Sequence, residues 1–93
     1  MTIDEIKTKA LPVLRRSGVT RAGIFGSAAR GEMTAKSDID FLIKLPNSAS
    51  LFDFIGIKQE LEDIFGRKVD LVGYGAIKPL LRERILKEEI PIL

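Results

Sequence analysis

Residues 38 to 45, DIDFLIKL, alternate in a way that dictates their own secondary structure. Ile39, Phe41, Ile43 and Leu45 fall on one side and Asp38, Asp40, Leu42 and Lys44 on the other, the period of two that marks a strand with one apolar face. Such a face must be covered, and the flanking sequence offers helices to cover it. Upstream, Thr2 and Glu5 have the spacing of a capping box, and Ile3, Ile6, Ala10, Leu11 and Leu14 recur at helical intervals until Ser17-Gly18 supplies a stop. Pro12 is the point at which this helix can bend. Downstream, Ser50 can cap a helix from Leu51 to Phe65 that Gly66 terminates. On a helical wheel its apolar stripe is predicted to be Leu51, Phe54, Ile55, Leu61, Ile64 and Phe65, with Phe52 off the stripe.

Two further strands flank these helices. Val19 to Phe25 is short, apolar and closed by Gly26, so it reads as a buried strand running into a turn. Ala28 to Arg30 favours a single helical turn ended by Gly31, and Glu32 to Ser37 is polar and loop-like. Lys68 to Val72 reads as a third strand, Val69 and Leu71 facing one way and Asp70 the other. Pro79 suits the first turn of a last helix through about Lys87, which Pro91 stops. The expectation is an α+β, two-layer fold: a small three-stranded mixed β-sheet with helices packed on one face. Residues 1–93 would form one domain, near the lower size at which a chain folds without staples.

Composition narrows the chemistry. There is no cysteine and no histidine, which removes disulfides, thiolate zinc sites, thiol nucleophiles and the commonest general base. Catalysis would have to use carboxylates, hydroxyls, lysines or arginines, and any metal would be a hard, oxygen-loving cation such as magnesium. No apolar run approaches membrane length, and the N-terminus does not match a signal peptide, so a cytoplasmic location is expected. The net charge of +2 is too small to argue for nucleic-acid binding. With one tyrosine, no tryptophan and no basic patch interleaved with aromatics, an RNA-binding role ranks last.

Asp38 and Asp40 project from the same strand face, roughly 6–7 Å apart along the strand, so their carboxylates can converge on one ion. Asp70 completes a triad if its strand is the neighbour of theirs. Such a cluster repels itself, and divalent cations relieve the repulsion; two magnesium ions roughly 3.5–4 Å apart can activate a hydroxyl and stabilise a leaving pyrophosphate. Ten residues ahead of Asp38 stands Gly26-Ser27, where glycine admits close backbone approach and Ser27 opens the helical turn. Arg30 or Lys44 can supply a positive charge for a triphosphate. Alone, a Gly-Ser pair is a turn and an Asp-x-Asp pair a solvated strand face. Their conjunction in one strand–turn–helix–loop–strand unit is what points to a site.

With Gly26, Ser27, Asp38 and Asp40 in the pattern G-S-x10-D-x-D, and VDLV carrying Asp70, the chain resembles the polymerase-beta-like nucleotidyltransferases. The stretch GSAARGEMTAKSDIDFLI and the tail KPLLRERILKEEIPIL are similar to those of the minimal nucleotidyltransferases, antitoxins of HEPN/MNT toxin–antitoxin pairs. The resemblance implies that Gly26 and Ser27 hold the phosphates of ATP, that Asp38 and Asp40 bind two Mg2+ ions, and that Asp70 helps bind one and assists deprotonation of the acceptor hydroxyl. It implies transfer of AMP to a hydroxyl, a tyrosine's, on a HEPN-domain ribonuclease toxin. Few residues remain to bury a nucleobase or small acceptor, so partner surface is expected to complete the site. The rival expectation is an antitoxin that neutralises its partner by contact, with Phe52 in the interface.

Overall fold

The computed structural model describes residues 1–93. Thr2 caps the first helix, α1 (Ile3–Arg16), its hydroxyl accepting from the Glu5 amide at 3.1 Å while Glu5 accepts from the Thr2 amide. The helix runs through Pro12 uninterrupted. Strand β1 (Arg21–Phe25) leads into the single turn α2 (Gly26–Ala29), and β2 (Ile39–Lys44) follows a loop. Ser50 and Asp53 form a second capping box at the start of α3 (Leu51–Phe65), which Gly66 ends in the left-handed conformation. Then come β3 (Val69–Gly73), a 3-10 turn over Tyr74–Ala76, α4 (Pro79–Glu88) and the two-residue β4 (Ile90–Pro91).

The sheet has the order β3-β2-β1-β4, with β2 and β3 parallel and the other neighbours antiparallel. Ala22, Ile24, Ile39, Phe41, Ile43, Val69 and Leu71 face α1 and α3, whose Ile6, Ala10, Val13, Leu14, Ile57, Leu61 and Phe65 complete the main core. The rings of Phe41 and Phe65 lie 6.1 Å apart at its centre. Each fully buried aliphatic side chain here contributes about 1.5–3 kcal/mol. No helix is long and apolar enough to cross a membrane.

Three details differ from the sequence expectation. The sheet has four strands: β4 is too short to show a period, and it pairs Ile90 with Ile24 and Pro91 with Gly23 at the edge, where proline's missing N–H is tolerated. Helices cover both faces: α4 lies opposite α1 and α3, burying Ile85 with Phe25, Leu42, Tyr74 and Ile77 in a second small core. The inward side of α3 is Phe54, Ile57, Leu61 and Phe65, while Leu51, Phe52, Ile55 and Ile64 stay exposed. The segment is apolar on more than one side, so periodicity alone does not choose the buried face.

Candidate active site

The face of the sheet under α4 carries the acidic residues. Asp40 follows Ile39 at the start of β2, and the parallel register sets it directly beside Asp70 of β3. On its other side the antiparallel register pairs it with Phe25, the last residue of β1, so the turn into α2 arrives next to the carboxylates. Asp38 precedes the strand, in a loop held from several directions. Arg67 Nη1 donates to the carbonyls of Thr34 and Ser37, each at 3.2 Å, the Thr34 amide donates to Ser37 Oγ at 2.9 Å, and the Glu32 amide donates to the Ser27 carbonyl at 2.9 Å. The ten residues between Ser27 and Asp38 are thus one helical turn and a tied return.

Asp38, Asp40, Asp70, Gly26, Ser27 and Arg30 all line one cavity of about 430 Å3, roofed by Leu81, Arg84, Ile85 and Glu88 of α4. Every residue singled out as a site residue in the sequence is there, with one exception among the candidate cations. Lys44, the alternative cation, is not: it lines a separate cavity with Arg21, Tyr74 and Arg82 at the other end of the same sheet face. Gly26 has φ of +72°, which favours glycine, and a Cβ at that position would collide with Asp40 Oδ2.

Charge is concentrated on Asp40. Burial first, then the Asp70 and Asp38 carboxylates, push it up to about 6, Glu88 adding to the effect and Arg30 opposing it. No three acidic side chains close on one point tightly enough to cage an ion. The donors are nonetheless all carboxylate oxygens, which suit magnesium, an ion that takes one or two carboxylates and completes its shell with waters and substrate phosphates. The donor set therefore fits a hard cation that arrives with a phosphorylated ligand.

Two residues of the cavity are not legible in the sequence. Glu88 Oε1 accepts from the Gly26 amide at 3.0 Å, and both its oxygens accept from Arg30 Nη1, at 3.2 and 3.3 Å. Arg30 is gripped on its other side by Glu32, Nε to Oε1 at 2.7 Å, and the two acids raise its pKa above the ordinary value. Arg84 lies one turn before Glu88 on α4. Nothing in KPLLRERILKEEIPIL distinguishes these two from a solvated helix face, because α4's approach to the Gly-Ser turn is a tertiary fact.

The profile of the nucleotidyltransferase domain matches residues 6–93. The chain belongs to the nucleotidyltransferase family. This nucleotidyltransferase is 47% identical over 93 residues, the whole of both chains, to a Methanocaldococcus jannaschii protein provisionally named a protein adenylyltransferase. It is 37% identical to the protein adenylyltransferase MntA of Thermococcus cleftensis, across 95% of this chain and 90% of that one. A solved structure described as a minimal nucleotidyltransferase superposes with a TM-score of 0.84 at 35% identity, covering 98% and 96% of the two chains. A complex described as a tri-AMPylated HEPN toxin of Shewanella oneidensis with its MNT antitoxin matches at a TM-score of 0.74 and 17% identity, over 97% of this chain and 71% of the other. That likeness is one of fold.

Proposed function

We propose that the nucleotidyltransferase is a protein adenylyltransferase that moves AMP from ATP to a tyrosine hydroxyl of a HEPN-type ribonuclease toxin and so acts as its antitoxin. The observation that carries this is the register of Asp40 beside Asp70 with the Gly26-Ser27 turn on the same cavity, in a chain 47% identical along its whole length to a protein named an adenylyltransferase. The fold shared with the antitoxin of an AMPylated HEPN toxin supports the choice of acceptor.

In this reading Asp38, Asp40 and Asp70 would hold two Mg2+ ions, and bound magnesium supplies the positive charge that polarises the α-phosphate and acidifies the acceptor hydroxyl. The Ser27 amide and hydroxyl bind phosphate oxygens, the Gly26 amide being already engaged by Glu88. Arg30 and Arg84 face the triphosphate with positive charge. Asp70 takes the proton of the acceptor hydroxyl as its oxygen forms a bond to the α-phosphorus; the bond from that phosphorus to the bridging oxygen breaks and pyrophosphate leaves. The cavity walls are mostly polar and open on one side to the acceptor, which completes the enclosure.

The test is label transfer. Mixing the chain with labelled ATP, magnesium and the cognate HEPN protein should label that protein, and Asp38→Asn with Asp40→Asn should abolish it; labelling by the double variant at the wild-type rate would sink the chemistry. A second reading, neutralisation by contact alone, is favoured by the exposed Leu51, Phe52 and Ile55 on α3. It requires the double Asp variant to suppress toxicity in cells as fully as the wild type does.

A further inference from the structure

Arginine side chains that meet phosphates are flexible, and an unconstrained guanidinium loses rotamer freedom on binding. Arg30 is constrained before any ligand arrives. Its Nε is bound by Glu32 and its Nη1 by both oxygens of Glu88, which leaves Nη2 without a protein partner on a residue that lines the cavity. Glu88 does more than hold the arginine: by accepting from the Gly26 amide it ties the turn itself to the end of α4. One carboxylate, with a side chain only 18% exposed, thus fixes two parts of the proposed phosphate seat relative to each other.

Glu88 is itself held in place. The next residue, Glu89, caps α4 through its amide to the Ile85 carbonyl, and its side chain, 5% exposed, accepts from the Tyr74 hydroxyl and pairs with Arg21 at 3.6 Å. Consecutive acids are therefore anchored at different places on the same sheet face, and the Glu89 contacts hold the backbone from which the Glu88 side chain projects.

We propose that Glu88 is a positioning residue for nucleotide binding, acting through Arg30 and the Gly26 turn. This rests on the reading of the site as an ATP-dependent transferase. The carboxylate is not a stand-in for phosphate that ATP must evict; it is a fixed brace that aims the arginine and leaves its free nitrogen for the ligand. Glu32 alone would hold only one side of the guanidinium and nothing of the turn.

Glu88→Gln tests it, since glutamine keeps the shape and an acceptor for the Gly26 amide while losing the charge that grips Arg30. Binding of ATP with magnesium, read by calorimetry, should weaken about tenfold in Glu88→Gln and in Arg30→Ala, about 1.4 kcal/mol each. Because both remove the same contact, the double variant should lose no more than the worse single one. Glu88→Asp should recover part of the affinity, and in the transfer assay the KM for ATP should rise in Glu88→Gln with kcat changed less than about twofold. Binding by Glu88→Gln equal to or tighter than wild type would overturn the proposal, and so would losses that multiply to about a hundredfold in the double variant. A wild-type chain that binds no ATP would instead overturn the transferase reading on which this one stands. A Glu88→Gln chain that fails to fold, judged by circular dichroism, would also overturn it in favour of a purely structural role.

Discussion

Gly26 makes room for Asp40: the carboxylate of Asp40 occupies the space that any side chain at position 26 would need. The turn also sits at φ of +72°, where a non-glycine residue costs about 1–3 kcal/mol by itself. Backbone strain and collision therefore act together at one atom position. Gly26→Ala should lower stability by at least about 1 kcal/mol in urea unfolding and, by pushing Asp40 off its position beside Asp70, abolish adenylyl transfer. Full activity in a folded Gly26→Ala chain would show that Asp40 is not needed where the structure places it.

Asp40 also sets a pH dependence. Its pKa stands at about 6 in the folded chain, above the usual carboxylate range, so between roughly pH 4 and 6 the folded state binds more protons than the unfolded one. Stability without metal should thus be highest at the acid end of that window and fall as pH rises through 6, the reverse of a salt-bridged aspartate. Asp40→Asn removes the repelling charge. It should stabilise the metal-free chain at pH 8, by about half as much at pH 5, and change little at about pH 3.5, below the ordinary aspartate pKa, and added magnesium should stabilise wild type at pH 8 more than it does the variant. Equal effects of the substitution at pH 8 and at about pH 3.5 would mean that Asp40 ionises normally.

The helix α3 separates what the sequence reveals from what it does not. Its existence and both ends follow from Ser50 and Gly66, just as strand alternation alone turns Asp40 and Asp70 away from the apolar faces of their strands; Asp38, expected to begin the strand, stands in the loop just before it. Which face of α3 is buried depends on where the helix lies across the sheet, and that is decided by long-range packing rather than by local pattern. The prediction is concrete: Leu61→Ala, at a fully buried position, should cost about 2–5 kcal/mol, whereas Phe52→Ala, 86% exposed, should stay within about 0.5 kcal/mol. Denaturant midpoints of the two variants check it, and a large loss at Phe52 would indicate that a second surface covers it in solution.

The same limit explains why the C-terminal segment is the least legible. Pro91 predicts the end of α4 correctly as a break, but the sequence carries no sign that the chain then returns to pair with β1, because two residues cannot display a period. Glu88 and Glu89 read as one more charged pair on a helix end; only the fold sends the first to the Gly-Ser turn and the second against Gly23 and Arg21 of β1.

Glu89 supplies the last prediction. Gly23 lies under it with no side chain, and a Cβ there would overlap the Glu89 carboxylate, which the Tyr74 hydroxyl and Arg21 hold from the other side. Burial, reinforced by the hydrogen bond to Glu89, pushes the Tyr74 phenol well above its ordinary pKa, and Arg21 stacks 4.0 Å over its ring. Tyr74→Phe keeps the ring and its stacking but leaves the carboxylate one donor short, so it should cost about 1–3 kcal/mol. Gly23→Ala should cost more than Tyr74→Phe, because it expels the carboxylate and so removes both of its partners while loosening the β1–β4 pairing next to it. If the position of Glu88 depends on this anchor, Gly23→Ala should also weaken ATP binding although position 23 does not line the cavity. Urea unfolding and calorimetry on the two variants decide both points, and unchanged ATP affinity in a destabilised Gly23→Ala chain would uncouple Glu89 from the site.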